Sequence, residues 1–279
     1  MDPTPATAAA QGATGDPLIT RFLVAQAVAR EAGKLALRYR AHPEELNIES
    51  KGPQDFVSAA DRAVERLIAE RVATSFPGDG FLGEESPPAI PSPTAPLWVV
   101  DPIDGTTNYV QGRADWCVSI AVVGAGRPQI GIVFDPNAGE LYAALRGRGA
   151  VCNGATIRVS SRAAIEQATF GLDHSPRGSP ADHLRQIRGV LESGGEYRRS
   201  GSAALSIAHV AHGRLDGFVE MHLNAWDVLA GMVLVTEAGG WTNDFLADDG
   251  LTRGNLFIAT TPLLRDAFIA AAGLQNHAL

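Results

Sequence analysis

The chain has 279 residues, 45% of them hydrophobic and 19% charged, with a net charge of −8. That length exceeds the usual single domain and points to one large layered unit or two closely packed halves. The acidic balance argues against nonspecific binding of nucleic acid or anionic membrane, both of which need a basic surface, and the longest apolar run, Val228 to Val235, is far too short to span a bilayer.

Residues 1–17 are rich in Ala, Thr, Pro and Gly and read as a disordered tail, without the basic start or apolar centre of a signal peptide. Apolar residues at helical spacing predict an amphipathic helix from Leu18 to Tyr39 and a second from Ser58 to Phe76, with Val64, Leu67, Ile68 and Val72 inward. Leu46 to Lys51 reads as extended and Gly52-Pro53-Gln54-Asp55 as a loop. Phe81 to Glu85 is a short strand, and the five prolines between Ser86 and Pro96 rule out regular structure there.

Trp98-Val99-Val100 reads as the end of a buried strand. It delivers Asp101 and Asp104, with Pro102 between them, to a Gly105-Thr106-Thr107-Asn108 turn that opens a short helix. Cys117 to Val123, Gln129 to Phe134 and Glu140 to Leu145 follow as an antiparallel meander. Gly124-Ala125-Gly126 is better read as a hairpin turn than as a dinucleotide loop, because the third glycine and a following helix are missing. Beyond Ser160, strands at Thr169–Leu172, Leu215–Glu220 and Leu256–Ala259 alternate with helices at Ala181–Leu191, Ser202–Ala211, Trp226–Ala238 and Pro262–Ala272. The expected division is an α+β half over 18–158 and an α/β half over 159–279, forming one compact unit. Cys117 and Cys152 fit neither zinc spacing nor a disulfide framework, and read as small apolar strand residues in a reducing cytoplasm. His209 and His212, three apart on a helix without a ligand motif, read as surface or packing residues.

Four acidic sites fall at element ends: Asp61, Glu84-Glu85, Asp101/Asp104 and Asp227. Read singly, each is a cap or a solvated charge, and Asp227 alone is best explained as a helix cap. Read jointly, carboxylates from distant segments repel one another unless cations lie between them, and all-oxygen ligation selects hard ions such as Mg²⁺ or Mn²⁺.

Gly83-Glu84-Glu85-Ser86, Asp101-Pro102-Ile103-Asp104-Gly105-Thr106-Thr107-Asn108 and Trp226-Asp227-Val228-Leu229-Ala230-Gly231 resemble the three signatures of the inositol monophosphatase family. Lys51, Asp55 and Asp61 resemble its first loop, and Gly201-Ser202-Ala203-Ala204 and Val219-Glu220-Met221 its substrate-side segments. The resemblance covers nearly the whole chain after Leu18. It implies an α-β-α-β-α layered sandwich and Mg²⁺-dependent hydrolysis of a small phosphorylated polyol or alcohol, with inositol 1-monophosphate the first choice. It also implies lithium sensitivity and a homodimer, while the acidic balance and the short apolar runs leave no membrane or nucleic-acid partner expected. By the same resemblance, Glu84, Asp101, Asp104, Asp227 and the Ile103 carbonyl ligate two or three Mg²⁺ ions, for which Mn²⁺ can substitute. Thr106 and Asp61, with Glu84, activate the attacking water, and the Gly105 and Thr106 amides receive phosphate oxygens. Gly201, Ser202, Ala203, Glu220 and Asp227 lie on the substrate side, with Lys51, Glu85 and His222 as further candidates.

The sequence departs from the family pattern at Ala114-Asp115, where relatives often carry a proline and another aromatic, and at Asp173-His174-Ser175-Pro176-Arg177. Histidinol phosphate and bisphosphorylated adenosine rank below inositol phosphate because relatives acting on them often carry Lys at the Thr107 position; fructose 1,6-bisphosphate stays open as a second substrate. A reading of another class, a regulatory module that binds the transcription machinery, stands beside the enzyme.

Overall fold

The computed structural model describes residues 16–52, 55–90, 92, 94–174 and 177–277. The expected tail up to residue 15, the Pro53-Gln54 turn, Ser175-Pro176 and the side chains of Lys51 and Asp55 lie outside the described residues. Asp16 and Pro17, expected in the tail, start the first helix, α1 (Pro17–Ala41): the Asp16 side chain accepts the Leu18 amide at 2.9 Å and proline occupies the first helical position. Its inner face is Ala25, Val28, Ala29, Ala32, Gly33 and Ala36, small enough for the helix to lie close on a sheet. After a hairpin of β1 (Glu49–Gly52) and β2 (Asp55–Val57), α2 (Ala59–Ser75) packs beside it.

The first sheet has seven strands in chain order: β3 (Gly80–Gly83), β4 (Leu97–Asp104), β5 (Cys117–Gly124), β6 (Arg127–Asp135), β7 (Glu140–Leu145), β8 (Ala150–Cys152) and β9 (Ala155–Thr156). Only the β3–β4 pair is parallel. The expected hairpin turn closes the β5–β6 pair and Asn153-Gly154 closes β8–β9, with Ala125, Gly126, Asn153 and Gly154 all at positive φ. The second sheet runs β11-β10-β12-β14-β13, from β10 (Thr169–Leu172), β11 (Glu196–Arg198), β12 (Gly217–Leu223), β13 (Trp241–Thr242) and β14 (Asn255–Thr260). The three- and two-residue strands β11 and β13 carry too little periodicity to be read from sequence. The remaining helices are α3 (Thr106–Val110), α4 (Pro180–Glu192), α5 (Ala203–Ala211), α6 (Ala225–Glu237), α7 (Gly250–Arg253) and α8 (Arg265–Ala271), the last preceded by a 3-10 turn at Pro262–Leu264.

Strand alternation sorts these elements into layers. Trp98 and Val100 of β4, with Ile120 and Ile132, face α1 and α2. Val99, Ala121 and Val133 face the other way, onto α5 and α6. Phe218, Phe257 and Ala259 of the second sheet close over the far side of those helices, while Phe170, Leu172 and Ile258 face α4 and α8. The result is an α-β-α-β-α sandwich. Its middle helices are apolar around most of their circumference, as a helix buried between two sheets must be. The approach is close: a side chain at Gly131 on β6 would run into the Ala230 carbonyl of α6.

Candidate active site

The site begins with an irregularity in β4, which continues through Asp104 instead of ending at Val100. Asp101 pairs with Ser119 and Asp104 with Cys117, so three steps along β4 match two along β5. In a regular strand, residues three apart point to opposite faces; the extra residue of a bulge restores them to one side. Pro102, which has no amide to give the ladder, sits in that interval. The Ile103 amide donates to Asp101 Oδ1 at 2.9 Å and fixes the first carboxylate.

Asp227 arrives at the third position of α6, where its Oδ2 accepts the Asn224 amide at 2.7 Å in a capping box. It serves as a capping residue and also meets the others: carboxylate oxygens of Asp101, Asp104 and Asp227 all lie within 4.8 Å of one another. Glu84 reaches the same edge because β3 runs parallel to β4, with Gly83 opposite Val100. Loss of hydration, then the charges of Glu84, Asp104, Asp227 and Asp61, push the Asp101 carboxyl well above its ordinary range. Asp227 is pushed up to about 7, by burial first and Asp104 next. Negative groups so placed favour a cation or a shared proton. The donor set is all oxygen, as hard divalent ions require, so these residues fit the metal that the signatures imply.

Asp104 is held from the second half of the molecule. Its carboxylate accepts the Ser202 hydroxyl, the Ala204 amide at 2.9 Å and the Ala203 amide at 3.3 Å, at the start of α5. Ser202 is therefore turned onto a carboxylate. Asp61, fully buried, accepts the Ser58 amide at 2.8 Å and the Ser58 hydroxyl at 2.6 Å on one oxygen. Its other oxygen lies 3.2 Å from Thr106 Oγ1, which is also 3.0 Å from the Ile103 carbonyl. Burial pushes Asp61 up to about 6 against the Ser58 bonds. Between these groups Gly105 turns at φ 93°; a Cβ there would come within 2.9 Å of the Asp115 carbonyl and 3.2 Å of that of Gly201. Glycine fits this position on both counts.

Beside the carboxylates opens a cavity of about 330 Å³. It brings together Asp104, Asp227, Gly201, Ala203, Glu220 and His222, all singled out from sequence, and adds Thr107, Asn108, Asp173, His174, Arg177 and Arg199. Glu220 is raised well above its ordinary range by burial, then by Asp173 and Asp227, with Arg199 opposing. Asp173 accepts the Ser200 and Gly201 amides, each at 3.1 Å, and so shapes the wall next to Gly201. A carboxylate directly after an apolar strand is the same signal that marked Asp101, and it could have marked Asp173. His222 lines the cavity with Nε2 3.1 Å from the Arg253 carbonyl. Glu85 instead borders a separate cavity, with Arg62 and Glu65. His209 and His212 pack on the Tyr142 ring, away from this cavity's lining. The cysteines are free and buried in β5 and β8.

A carboxylate cluster suited to hard cations, beside a small-molecule cavity in this layered sandwich, defines the class of metal-dependent phosphomonoesterases. The chain belongs to the inositol monophosphatase family, whose model matches residues 20–275. It is 42% identical over 216 residues to an inositol-1-monophosphatase of Rhizobium meliloti, covering 77% of this chain and 81% of the relative. It is 40% identical over 223 residues to a Nus factor SuhB of Xylella fastidiosa, covering 79% and 80%. Among solved structures, the extragenic suppressor protein SuhB of Bartonella henselae superposes with a TM-score of 0.86 at 34% identity, over 92% of this chain and 99% of that one. Among the described residues no helix is long and apolar enough to cross a membrane.

Proposed function

We propose that the protein is a Mg²⁺-dependent phosphatase of small polyol monophosphates, with inositol 1-monophosphate its first substrate. The observation that carries this reading is the convergence of Asp101, Asp104 and Asp227 at the edge of a cavity that also holds Glu220. Glu84, Asp101, Asp104, Asp227 and the Ile103 carbonyl would hold the cations. When bound, divalent cations neutralise the phosphate, acidify water and stabilise the departing alkoxide.

The chain's own groups supply orientation. Thr106 has one hydroxyl proton and two neighbouring acceptors, Asp61 Oδ1 and the Ile103 carbonyl, so its lone pairs are left to receive a hydrogen bond from the attacking water. Asp61 is the carboxylate within reach of that hydroxyl, placed to take up the proton load as water attacks. The Gly105 and Thr106 amides would receive phosphate oxygens, and Asp227, reaching both cluster and cavity, would face the leaving oxygen. Gly201, Ala203 and Glu220 would border the alcohol, where Glu220 accepts hydroxyl protons. A homodimer, lithium sensitivity and a cytoplasmic setting belong to the same reading.

The test is a hydrolysis panel with and without Mg²⁺ and lithium. The expected result is the highest kcat/KM on inositol 1-monophosphate; a large preference for histidinol phosphate would overturn the substrate assignment. Arg177 and Arg199 on the cavity wall favour one second reading, a sugar bisphosphate such as fructose 1,6-bisphosphate, whose other phosphate they would meet. The relatives named Nus factor SuhB support an interaction with the transcription machinery as a reading of another class. Absence of Mg²⁺-dependent phosphate release from every monoester in the panel would favour it.

A further inference from the structure

Glu65 is a glutamate in the core position of a helix, only 3% exposed, and none of the roles above uses it. A buried carboxylate needs donors, and the one donor within hydrogen-bond distance in the described contacts is the Glu85 amide, 2.8 Å from Oε2. The same carboxylate fills the space beside Gly83. A Cβ built on Gly83 would overlap Oε2 and Cδ and lie 2.8 Å from Oε1. The residues on either side of Glu84 are thus both registered against one side chain: Gly83 by close packing, Glu85 by its amide.

We infer that Glu65 is a positioning residue that fixes the Glu84 turn beside Asp101, so that α2 mounts two sides of the metal centre at once. Asp61 and Glu65 are four residues apart on α2 and share one face. The first reaches Thr106 and the second reaches the Glu84 turn. One rigid helix sets the distance between the water-orienting pair and the carboxylate that leaves β3. The glycine of the Gly83-Glu84-Glu85 sequence has its reason in the same contact, because any side chain there would evict Glu65. The inference rests on the reading that Glu84 binds a cation.

The test measures Mn²⁺ binding to the purified full chain by titration calorimetry, with thermal melts and circular dichroism to confirm folding. Glu65→Ala removes the acceptor and is expected to weaken Mn²⁺ binding about 10- to 100-fold, the usual effect of losing a group that orients a ligand. Glu65→Gln keeps an oxygen for the Glu85 amide and should stay within about threefold of wild type, since the bond and not the charge is retained. Gly83→Ala leaves Glu65 in the chain but displaces it, and should resemble Glu65→Ala; it also serves if Glu65→Ala does not fold. Excess Mn²⁺ should restore most of kcat in Glu65→Ala, which a general loss of structure would not allow. Wild-type Mn²⁺ affinity in folded Glu65→Ala and Gly83→Ala would overturn the inference, as would equal losses in Glu65→Gln and Glu65→Ala. If the wild-type chain binds no Mn²⁺, the metal reading of Glu84 fails instead, and the two failures are distinguishable.

Discussion

Replacing Asp101 with Asn should make the metal-free protein more stable while abolishing its response to Mg²⁺. Two full charges 4.8 Å apart repel by ~3.5 kcal/mol at an effective dielectric of about 20. Proton sharing within the cluster and salt leave ~1–2 kcal/mol of that to be recovered. The asparagine keeps an oxygen for the Ile103 amide, so no backbone donor is orphaned. For a chain of this size the gain corresponds to a rise in Tm of about 3–6 °C. Wild type should be stabilised instead by the cation, by ~2.7 kcal/mol at a hundredfold excess over Kd.

The pH dependence follows with a definite sign. A carboxyl whose folded pKa is raised contributes stability that is full below its unfolded value and is lost as pH rises through the folded one, about 7 for Asp227. Metal-free wild type should therefore lose stability between pH ~4 and ~7, and Asp101→Asn should show a shallower decline. Scanning calorimetry at several pH values, with and without Mg²⁺, measures both effects. A lower Tm for the metal-free variant, together with a wild-type Mg²⁺ response, would refute the view that these carboxylates are a cation site and not a self-sufficient hydrogen-bonded cluster.

Thr106→Val, which removes the hydroxyl, should lower kcat by ~10²–10⁴ with little change in KM, whereas Thr106→Ser should keep most activity; steady-state kinetics on the preferred substrate decides, and an active valine variant would exclude the water-orienting role. Glu220→Gln should raise KM about tenfold and leave kcat within a few-fold, if Glu220 borders the alcohol as proposed. Gly105→Ala combines positive φ with the Asp115 contact at 2.9 Å and should cost ~1–3 kcal/mol in a urea melt; a neutral effect would mean the turn can relax. Glu140 is held down to about 2 by hydrogen bonds from Arg214, so it adds stability above its unfolded range that disappears as pH falls toward that value. Because the arginine is well exposed, Glu140→Gln should cost only ~1 kcal/mol at pH 7 and nothing at pH 2, by chemical denaturation.

Much of the site was legible because its chemistry is written in residue types at element ends. Asp101, Asp104 and Glu84 stand where apolar runs stop and Asp227 where one begins, and the helices and most strands follow their periodicities to within a few residues. What periodicity cannot carry is register. An aspartate pair three apart on a strand should point to opposite faces, and only the bulge around Pro102 puts both on one side. The parallel β3–β4 pairing that delivers Glu84 is a long-range fact of the same kind. Helical spacing placed Leu67 on the inner face of α2, whereas Glu65 is the more deeply buried of the two. Asp173 stands in a segment that departs from the family pattern, and although it follows an apolar strand, its role in holding the Ser200–Gly201 loop is a contact between distant segments that periodicity does not carry.

The two sheets divide the work in a way that explains which parts of the sequence were easiest to interpret. Asp61, Glu84, Asp101, Asp104 and Thr106 come from α2, the β3–β4 edge and the start of α3, and Asp61, Asp101 and Thr106 are held by neighbours within those segments. The cavity wall around Asp173, Arg199 and Glu220 comes from β10, the segment after β11, and β12, elements of the second sheet. Asp104 joins the two: it leaves the first sheet and is clasped by the start of α5, immediately after the Gly201 wall. A change in the wall can therefore alter which alcohol fits without moving most of the carboxylates, provided Ser202, Ala203 and Ala204 still hold Asp104. That constraint predicts where substitutions become expensive. Changes at Asp173 or Arg199 should redistribute kcat/KM among substrates, whereas Ser202→Val, which withdraws a hydroxyl from a buried carboxylate, should weaken metal binding for every substrate alike. A substrate-selective effect of Ser202→Val would mean that Asp104 belongs to the alcohol side instead.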